Sequence, residues 1–523
     1  MQAVASVKAE PAALDMPPAT DPDFPELPIL KPEIAFWTRV FSEYSEKQSV
    51  IHSMDDVRKV YTVLDFRGDA AVLSPFALDI KRARAEHDAV VKVDALLQRV
   101  DGLQATPQRM DAEERRIYDL YADSSDPHRF REAIGSFRVQ RGLRERTGHA
   151  LEISGRYLPQ MEQIFASYGL PTRLTRLPLV ESSFNLSAHS RDGAAGIWQF
   201  IPSAARIYMR LNEIADDRRD PWLSTDAAAR HLKDDYGTLQ DWPLAVTAYN
   251  YGRGGMYRAL QAVNGHSLTD VLEHYDNERF GFASRNFYAE FCAAKDVERD
   301  WRQHFGDLTR DAPIRFETVT TQDYVPYSTL LRLSGTEPDA FQALNPSYNE
   351  AVTGGRLYVP PGALIRLPSG AAEQFKTQYA ALGPDQRFGE QRQIYARHTV
   401  TKGETLAALA RRFGVTPQAL VAANQQLDGA AAVHAGQVVM IPPHESRTQL
   451  AAAVPHIVKT AATNAALAQP GESGGRVLLV RSGQTLSQIA HEYRTTVERL
   501  CALNGLGSPT LLKVGSKLKI PTD

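Results

Sequence analysis

The stretch Leu177-Pro178-Leu179-Val180-Glu181-Ser182-Ser183-Phe184 aims a carboxylate at an apolar face. Read as a helix, Leu174, Leu177 and Glu181 lie on one side, because residues three and four apart are neighbours, and Phe184 continues the stripe. Burying a carboxylate is costly unless it is paired, and burial raises its pKa. A glutamate treated in this way holds a proton near neutral pH and can act as a general acid. A surface glutamate out of phase with the helix, or a buried structural ion pair, would leave the same pattern. Pro178 cannot donate to the carbonyl of Leu174, so a kink or local unwinding is expected just before Glu181.

Two further segments add functional groups. Gly193 and Gly196 bracket a tight turn that leads into Trp198-Gln199-Phe200, and Ala248-Tyr249-Asn250-Tyr251-Gly252 ends an apolar run begun at Pro243. The three motifs, in this order, resemble the lytic transglycosylases of the soluble-transglycosylase superfamily. The form Leu-Pro-Leu-Val-Glu-Ser-Ser-Phe is similar to the membrane-bound murein transglycosylase D branch, and the resemblance covers roughly 137–297. It implies a mainly α, lysozyme-like catalytic domain that cleaves the MurNAc-β-1,4-GlcNAc bond of peptidoglycan and forms 1,6-anhydro-MurNAc. Glu181 would be the general acid/base. Ser182, Ser190, Gln199, Tyr249, Asn250 and Tyr288 would be substrate-side residues, although Tyr288 reads equally as a core tyrosine with a satisfied hydroxyl.

Glycoside cleavage usually needs two carboxylates, and no partner for Glu181 stands at motif spacing. That fits a lyase, in which the sugar's own C6 hydroxyl is the nucleophile. Two other readings remain: a lysozyme-like hydrolase in which an acidic loop residue such as Asp192 positions a water, and a non-catalytic peptidoglycan-binding scaffold. No metal or other cofactor is indicated, since His189, His231 and His266 are isolated and His491-Glu492 lacks a second histidine. Asp216-Asp217-Arg218-Arg219-Asp220 reads as a solvated loop of alternating charges.

A chain of 523 residues is too long for one core. Its net charge of −3, without a basic tract, gives nucleic acid no electrostatic footprint. No apolar run approaches a membrane span and no leader is visible at Met1. For a peptidoglycan enzyme this implies a periplasmic or cell-envelope protein whose signal or lipid anchor lies outside this sequence, leaving membrane association open; a monomer is expected. Cys292 and Cys501 fall in different expected domains, so no disulfide is indicated.

The expected order begins with a Pro-rich disordered lead-in (1–33), a helical N-terminal region (34–149) and the transglycosylase domain (150–311). The C-terminal part holds an internal repeat. Val400, Gly403, Thr405, Leu406, Leu420 and Asn424 recur 80 positions later as Val480, Gly483, Thr485, Leu486, Leu500 and Asn504. Both copies resemble LysM modules, small α+β (βααβ) domains that bind N-acetylglucosamine-containing chains. The resemblance places them at 393–443 and 476–523 and puts carbohydrate binding near Gly403, Thr405 and Asn424 and near Gly483, Thr485 and Asn504. A degenerate copy spans 312–365, with Leu344-Asn345-Pro346 but no Gly-x-Thr-Leu element. Residues 366–392 and 444–475 read as linkers. A chain ended after Asp311 is therefore expected to go on cleaving short soluble glycans.

Overall fold

A computed structural model describes residues 21–392, 396–424 and 433–442, and, further on, 476–479, 489, 495, 500, 503–504 and 517–520. The chain divides into two units, Met1–Pro455 and His456–Asp523.

The described part of the expected lead-in, from residue 21 on, packs against the domain that follows. Phe24 is buried against Trp242 and Phe291, with ring centroids 5.8 and 5.1 Å away. Helix α1 (Lys31–Ser42) then turns Trp37, Val40 and Phe41 inward. The region that follows contains more than helices. Strands β1 (Gln48–Ser53), β2 (Val60–Asp65) and β3 (Phe137–Arg141) form an antiparallel sheet in the order β2-β1-β3. The long helix α2 (Pro75–Leu103) packs on it through Val93, Leu96, Leu97 and Val100. The short β-branched runs around Val50-Ile51 and Tyr61-Thr62-Val63 carry these strands.

In the catalytic domain the break expected at Pro178 is a change of helix type. A 3-10 turn (Thr172–Arg176) gives way to the short helix α3 (Leu177–Glu181), which has Pro178 in its first turn, where a missing N–H costs nothing. Helix α4 (Pro221–Leu239) is capped by the Asp220 side chain, which accepts from the N–H groups of Trp222 and Leu223. It buries Ala227, Ala228 and Ala229, small enough for neighbouring helices to come close. Helix α5 (Trp242–Tyr251) starts at the Asp241 cap and ends at Gly252. Helix α6 (Phe282–Arg299) is the central pillar and packs against α1, α3 and α5.

The module after the catalytic domain pairs β4 (Phe316–Thr320) with β5 (Leu364–Pro368), Val319 opposite Ile365, around α7 (Tyr327–Ser334) and α8 (Pro338–Leu344). Its closing strand, Leu364–Pro368, runs across the boundary expected at 365. Residues 366–392 are not a linker. They complete β5, form α9 (Ala372–Ala380) and fold back so that Phe388 stacks on Tyr358 at 4.6 Å. The next module pairs β6 (Ala396–Thr399) with β7 (Val438–Ile441) around α10 (Leu406–Phe413) and α11 (Pro417–Ala422). In the second unit β8 (Arg476–Leu479) pairs antiparallel with β9 (Lys517–Ile520). The expected linker 444–475 lies outside the described residues.

Candidate active site

Glu181 is the last residue of α3, and its surroundings are fixed from two sides. Beneath it, the buried guanidinium of Arg176 pairs with Glu298 on α6 at 3.2 Å and with Glu162. Beyond it, Ser183 and Phe184 both take left-handed backbone conformations, with φ of +52° and +57°. Such conformations cost of order 1–3 kcal/mol each in ordinary residues and persist where the surroundings impose them. Here Phe184 is fully buried and anchors the turn. Gln199 is likewise left-handed at φ +46°. Among the described residues, three of the five non-glycine residues with positive φ thus lie at or beside the expected site groups.

Glu181 is half-buried as a residue, and its carboxyl group is densely enclosed by protein. Burial, reinforced by the like charge of Glu290, pushes its pKa up to about 8. Glu290, on α6, is itself raised to about 8 by burial, partly offset by the positive charge of Arg138 on β3. Among the described residues neither carboxylate has an ion-pair or hydrogen-bond partner. No second carboxylate stands near Glu181 at motif spacing, and the fold brings the charge of Glu290 within reach of it from a helix more than a hundred positions away. The apolar flank Phe287-Tyr288-Ala289 and Phe291 around Glu290 was the available signal. Asp192, considered above as the acidic residue of a hydrolase, lies exposed on its turn.

Tyr249, on α5, donates its hydroxyl to the carbonyl of Trp198 at 2.8 Å. Burial and the negative charge of Glu181 raise the phenol well above its ordinary pKa, so it stays protonated. Its oxygen can still accept a hydrogen bond. Trp198 is a core pillar, bonded to Thr225 at 2.8 Å and stacked on Phe165. Gln199 donates to the carbonyls of Gly196 and Ala188 at 2.8 and 3.3 Å, which fixes its amide and leaves the amide oxygen uncommitted among the described residues. Asn250 is exposed, its oxygen accepting from Ser284 at 2.7 Å, so its amide N–H groups face solvent. Ser190 is exposed and accepts from the N–H of Ala194.

Two of the expected substrate-side residues do structural work. The Ser182 hydroxyl donates to the Ile197 carbonyl at 2.9 Å, stapling the end of α3 to the 193–200 turn. Tyr288 is fully buried and donates to the Pro25 carbonyl at 2.9 Å, so its phenol holds the N-terminal strap and does not face a substrate. The 216–220 loop also departs from expectation. Asp216, Asp217, Arg218 and Asp220 are buried, with Arg210 on Asp217, Arg218 on Asp216 and Arg366 on Asp220.

In the module at 396–442, Gly403 is exposed with φ +91°, a turn suited to glycine. Thr405 caps α10 through the N–H of Ala408. Asn424 is fully buried: it donates to the carbonyls of Leu420 and Met440 at 2.7 and 2.6 Å and accepts from the N–H of Met440. Asn504 makes the same three bonds with Leu500 and Lys519. The two asparagines are clamps of the fold, and sugar contacts by these modules would fall to neighbouring groups. Gly483 and Thr485 lie outside the described residues.

Comparison with known proteins matches residues 163–269 to the transglycosylase SLT domain and residues 398–442 and 479–521 to the LysM domain. The chain carries both kinds of domain. It is 25% identical over 359 residues to membrane-bound lytic murein transglycosylase D of Escherichia coli (strain K12), covering 67% of this chain and 73% of the relative. It is also 27% identical over 126 residues to the secreted LysM effector ECP6 of Passalora fulva, covering 24% of this chain and 45% of that one.

Proposed function

We propose that this chain, built from a transglycosylase SLT domain followed by LysM domains, is a lytic transglycosylase acting on peptidoglycan, with Glu181 as its single acid/base group. In the first step the protonated Glu181 gives its proton to the leaving oxygen of the MurNAc-β-1,4-GlcNAc bond, with the muramoyl N-acetyl group able to assist at C1. In the second, the Glu181 carboxylate takes the proton from the C6 hydroxyl, whose oxygen closes on C1 to form the 1,6-anhydro ring. The observation that carries this reading is a carboxyl group raised to about 8, with no counter-ion among the described residues, at the strained junction of α3 with the following turn. Tyr249 would hold the orientation of the Glu181 side chain, and Gln199, Ser190 and Asn250 would give hydrogen bonds to hydroxyl and N-acetyl groups of the glycan.

A second reading has one observation in its favour. Glu290 beside Glu181 provides the second carboxylate that a hydrolase would use to activate water. Mass spectrometry of a peptidoglycan digest made in isotopically labelled water separates the two. The lyase yields anhydro ends without label. Reducing ends carrying label as the main product would move the protein to the hydrolases.

The LysM modules are read as glycan-binding, raising the local concentration of the catalytic domain along its polymer. A periplasmic or cell-envelope location follows from this substrate, and the Escherichia coli relative is named as membrane-bound. Among the described residues no helix is long and apolar enough to cross a membrane.

A further inference from the structure

The turn that carries Gln199 has little regular structure of its own. Isolated bridges join His189 to Ala195 and Ala195 to Phe200, and one buried side chain ties the two ends of the turn together. The Arg218 guanidinium donates to the carbonyl of Gly193 at 2.7 Å and to that of Phe200 at 3.2 Å, one near each end of the turn. Its remaining N–H groups hold Asp216 at 2.9 and 2.8 Å. The planar fork of the arginine bonds two carbonyls and both oxygens of a carboxylate at once, four bonds where an ammonium has three donors. The Arg218 main-chain carbonyl also presses on Gly196, where an added Cβ would lie 1.8 Å from it.

The loop that carries Arg218 is in turn held by the module at 316–392. The N–H of Asp216 donates to the Ser347 carbonyl at 2.8 Å, and the N–H of Asn349 to the Ile214 carbonyl at 3.0 Å. The Asn349 side chain donates to the Asn212 carbonyl at 2.7 Å and accepts from Arg219. Arg366 pairs with Asp220 and lies 4.6 Å above the Trp222 ring, both partners buried.

We propose that the 316–392 module is a positioning element of the catalytic site, acting through Arg218 on the turn that bears Gln199. Ser347 and Asn349, just past the Leu344-Asn345-Pro346 element, are bound to the catalytic domain, so this module does not grip glycan by that edge. The inference rests on the reading of Gln199 as a substrate-side group.

The test uses the full chain with Arg218→Lys, which keeps the charge but loses the fork, and with Asn349→Ala, which loosens the loop from the module at its half-buried edge. Kinetic constants on short soluble glycans, the thermal midpoint and retention on insoluble peptidoglycan are measured for each. Misplacing a binding group by about 1 Å costs on the order of a hundredfold. Arg218→Lys is therefore expected to lower kcat/KM roughly ten- to a hundredfold, mostly through KM. Asn349→Ala should move it the same way by less, and retention should be unchanged in both. A lowered midpoint with wild-type kinetic constants in the folded protein would reduce these contacts to structural support and overturn the proposal. Weaker retention with intact soluble kinetics in Asn349→Ala would overturn it in favour of glycan binding. Should Arg218→Lys not fold, Asn349→Ala decides alone. A Glu181→Gln control that still turns over would sink the catalytic reading instead, and so keeps the two failures apart.

Discussion

In the module at 316–392 the buried Asn345 donates to the carbonyls of Phe341 and Arg366 and accepts from the N–H of Arg366. In the module at 396–442 Asn424 makes the same three bonds to Leu420 and Met440. Each thus locks its second helix to its closing strand by one amide. What surrounds that frame differs. The first module turns Arg366 into the catalytic domain, spends Ser347 and Asn349 on the 210–220 loop, and folds residues 372–392 over its own side. In the second, the side-chain hydrogen bonds among the described residues stay inside the module, with Glu404 holding His398 and Arg412. The same frame therefore serves as a fixed wall or as a separate body, and the choice is made by a few side chains outside the core.

The most severe way to break this comparison is to cut the chain in two places. Ending it after Asp311 removes Arg366 and Phe316 together, unpairs Asp220, the cap of α4, and uncovers the Trp222 ring on which both pack. Losing a hydrogen-bonded ion pair and exposing a large apolar side chain together cost several kcal/mol, on the order of a large share of a domain's stability. This chain should be insoluble or inactive even on short glycans, contrary to what composition alone suggested. Ending it after Arg392 should leave a folded enzyme with normal kinetics on short soluble glycans and weak retention on insoluble peptidoglycan. Equal behaviour of the two truncations in a solubility and turnover assay would erase the distinction between wall and separate body.

Next in size is Glu181→Gln in the full chain. Loss of general acid catalysis should lower turnover roughly a hundred- to ten-thousandfold. Retention on insoluble peptidoglycan should not change, because the modules keep their surfaces. Near-normal turnover in the folded variant would remove Glu181 from the chemistry.

How much of this was legible depends on how far the deciding contacts lie along the chain. Glu181 could be read because its stripe, Leu174 and Leu177, is local, and the helix break because Pro178 is local too. The repeat, including Asn345, showed itself through spacing. Glu290 was hidden because its nearness to Glu181 depends on the packing of α3 on α6, pinned by Arg176 and Glu298 across 122 positions. The 216–220 loop looked solvated because its charges pair with near neighbours, whereas its burial comes from Arg366, 146 positions beyond Asp220. Composition misled at 366–392, where Phe375, Tyr379 and Phe388 outweigh the surrounding Ala, Gly and Gln. It misled again at Phe24, whose partners Trp242 and Phe291 are remote. Tyr288, on the substrate side by resemblance only, has the buried, satisfied hydroxyl that the residues alone allowed equally, and its partner Pro25 lies 263 positions away.

The pH dependence sharpens the contrast more gently. A general acid works while it holds its proton, so turnover on soluble glycans should fall as pH rises through about 8. Glu290→Gln removes the like charge but not the burial, the larger cause. The falling limb should move to lower pH without reaching the ordinary 4.5 of a glutamate. Arg138 acts on Glu290, and Tyr249 on the Glu181 side stays neutral, so neither reverses that direction. Both carboxyls keep protons in the folded state that the unfolded chain releases near 4.5, so stability should decline between about 4.5 and about 8, and less steeply in Glu290→Gln. Glu404 of the 396–442 module is held near 2 by the N–H of Thr401 and by His398, so it stays ionised throughout. Retention should not follow the limb. A limb unmoved in Glu290→Gln would deny the two glutamates any coupling.

The smallest expected effects come from the paired clamps, and they set the two modules against each other most directly. Asn424→Ala strips partners from the Met440 N–H and from two carbonyls inside one module. Leaving buried polar groups unsatisfied costs about 1–3 kcal/mol, enough to loosen a small domain without touching the rest. Retention on insoluble peptidoglycan should weaken a few-fold, softened by the C-terminal copy, whose Asn504 clamp is intact. Kinetics on short soluble glycans should be unchanged. Asn345→Ala removes the same bonds from the other module, but there the loosened strand carries Arg366 and the loosened segment carries Ser347 and Asn349. Its effect should appear in KM for soluble glycans and leave retention alone. The same substitution would thus give opposite phenotypes in two copies of one frame. If both variants lost only retention, the 316–392 module would be a binder like its neighbour; if both lost only soluble turnover, the second module would be no more separate than the first.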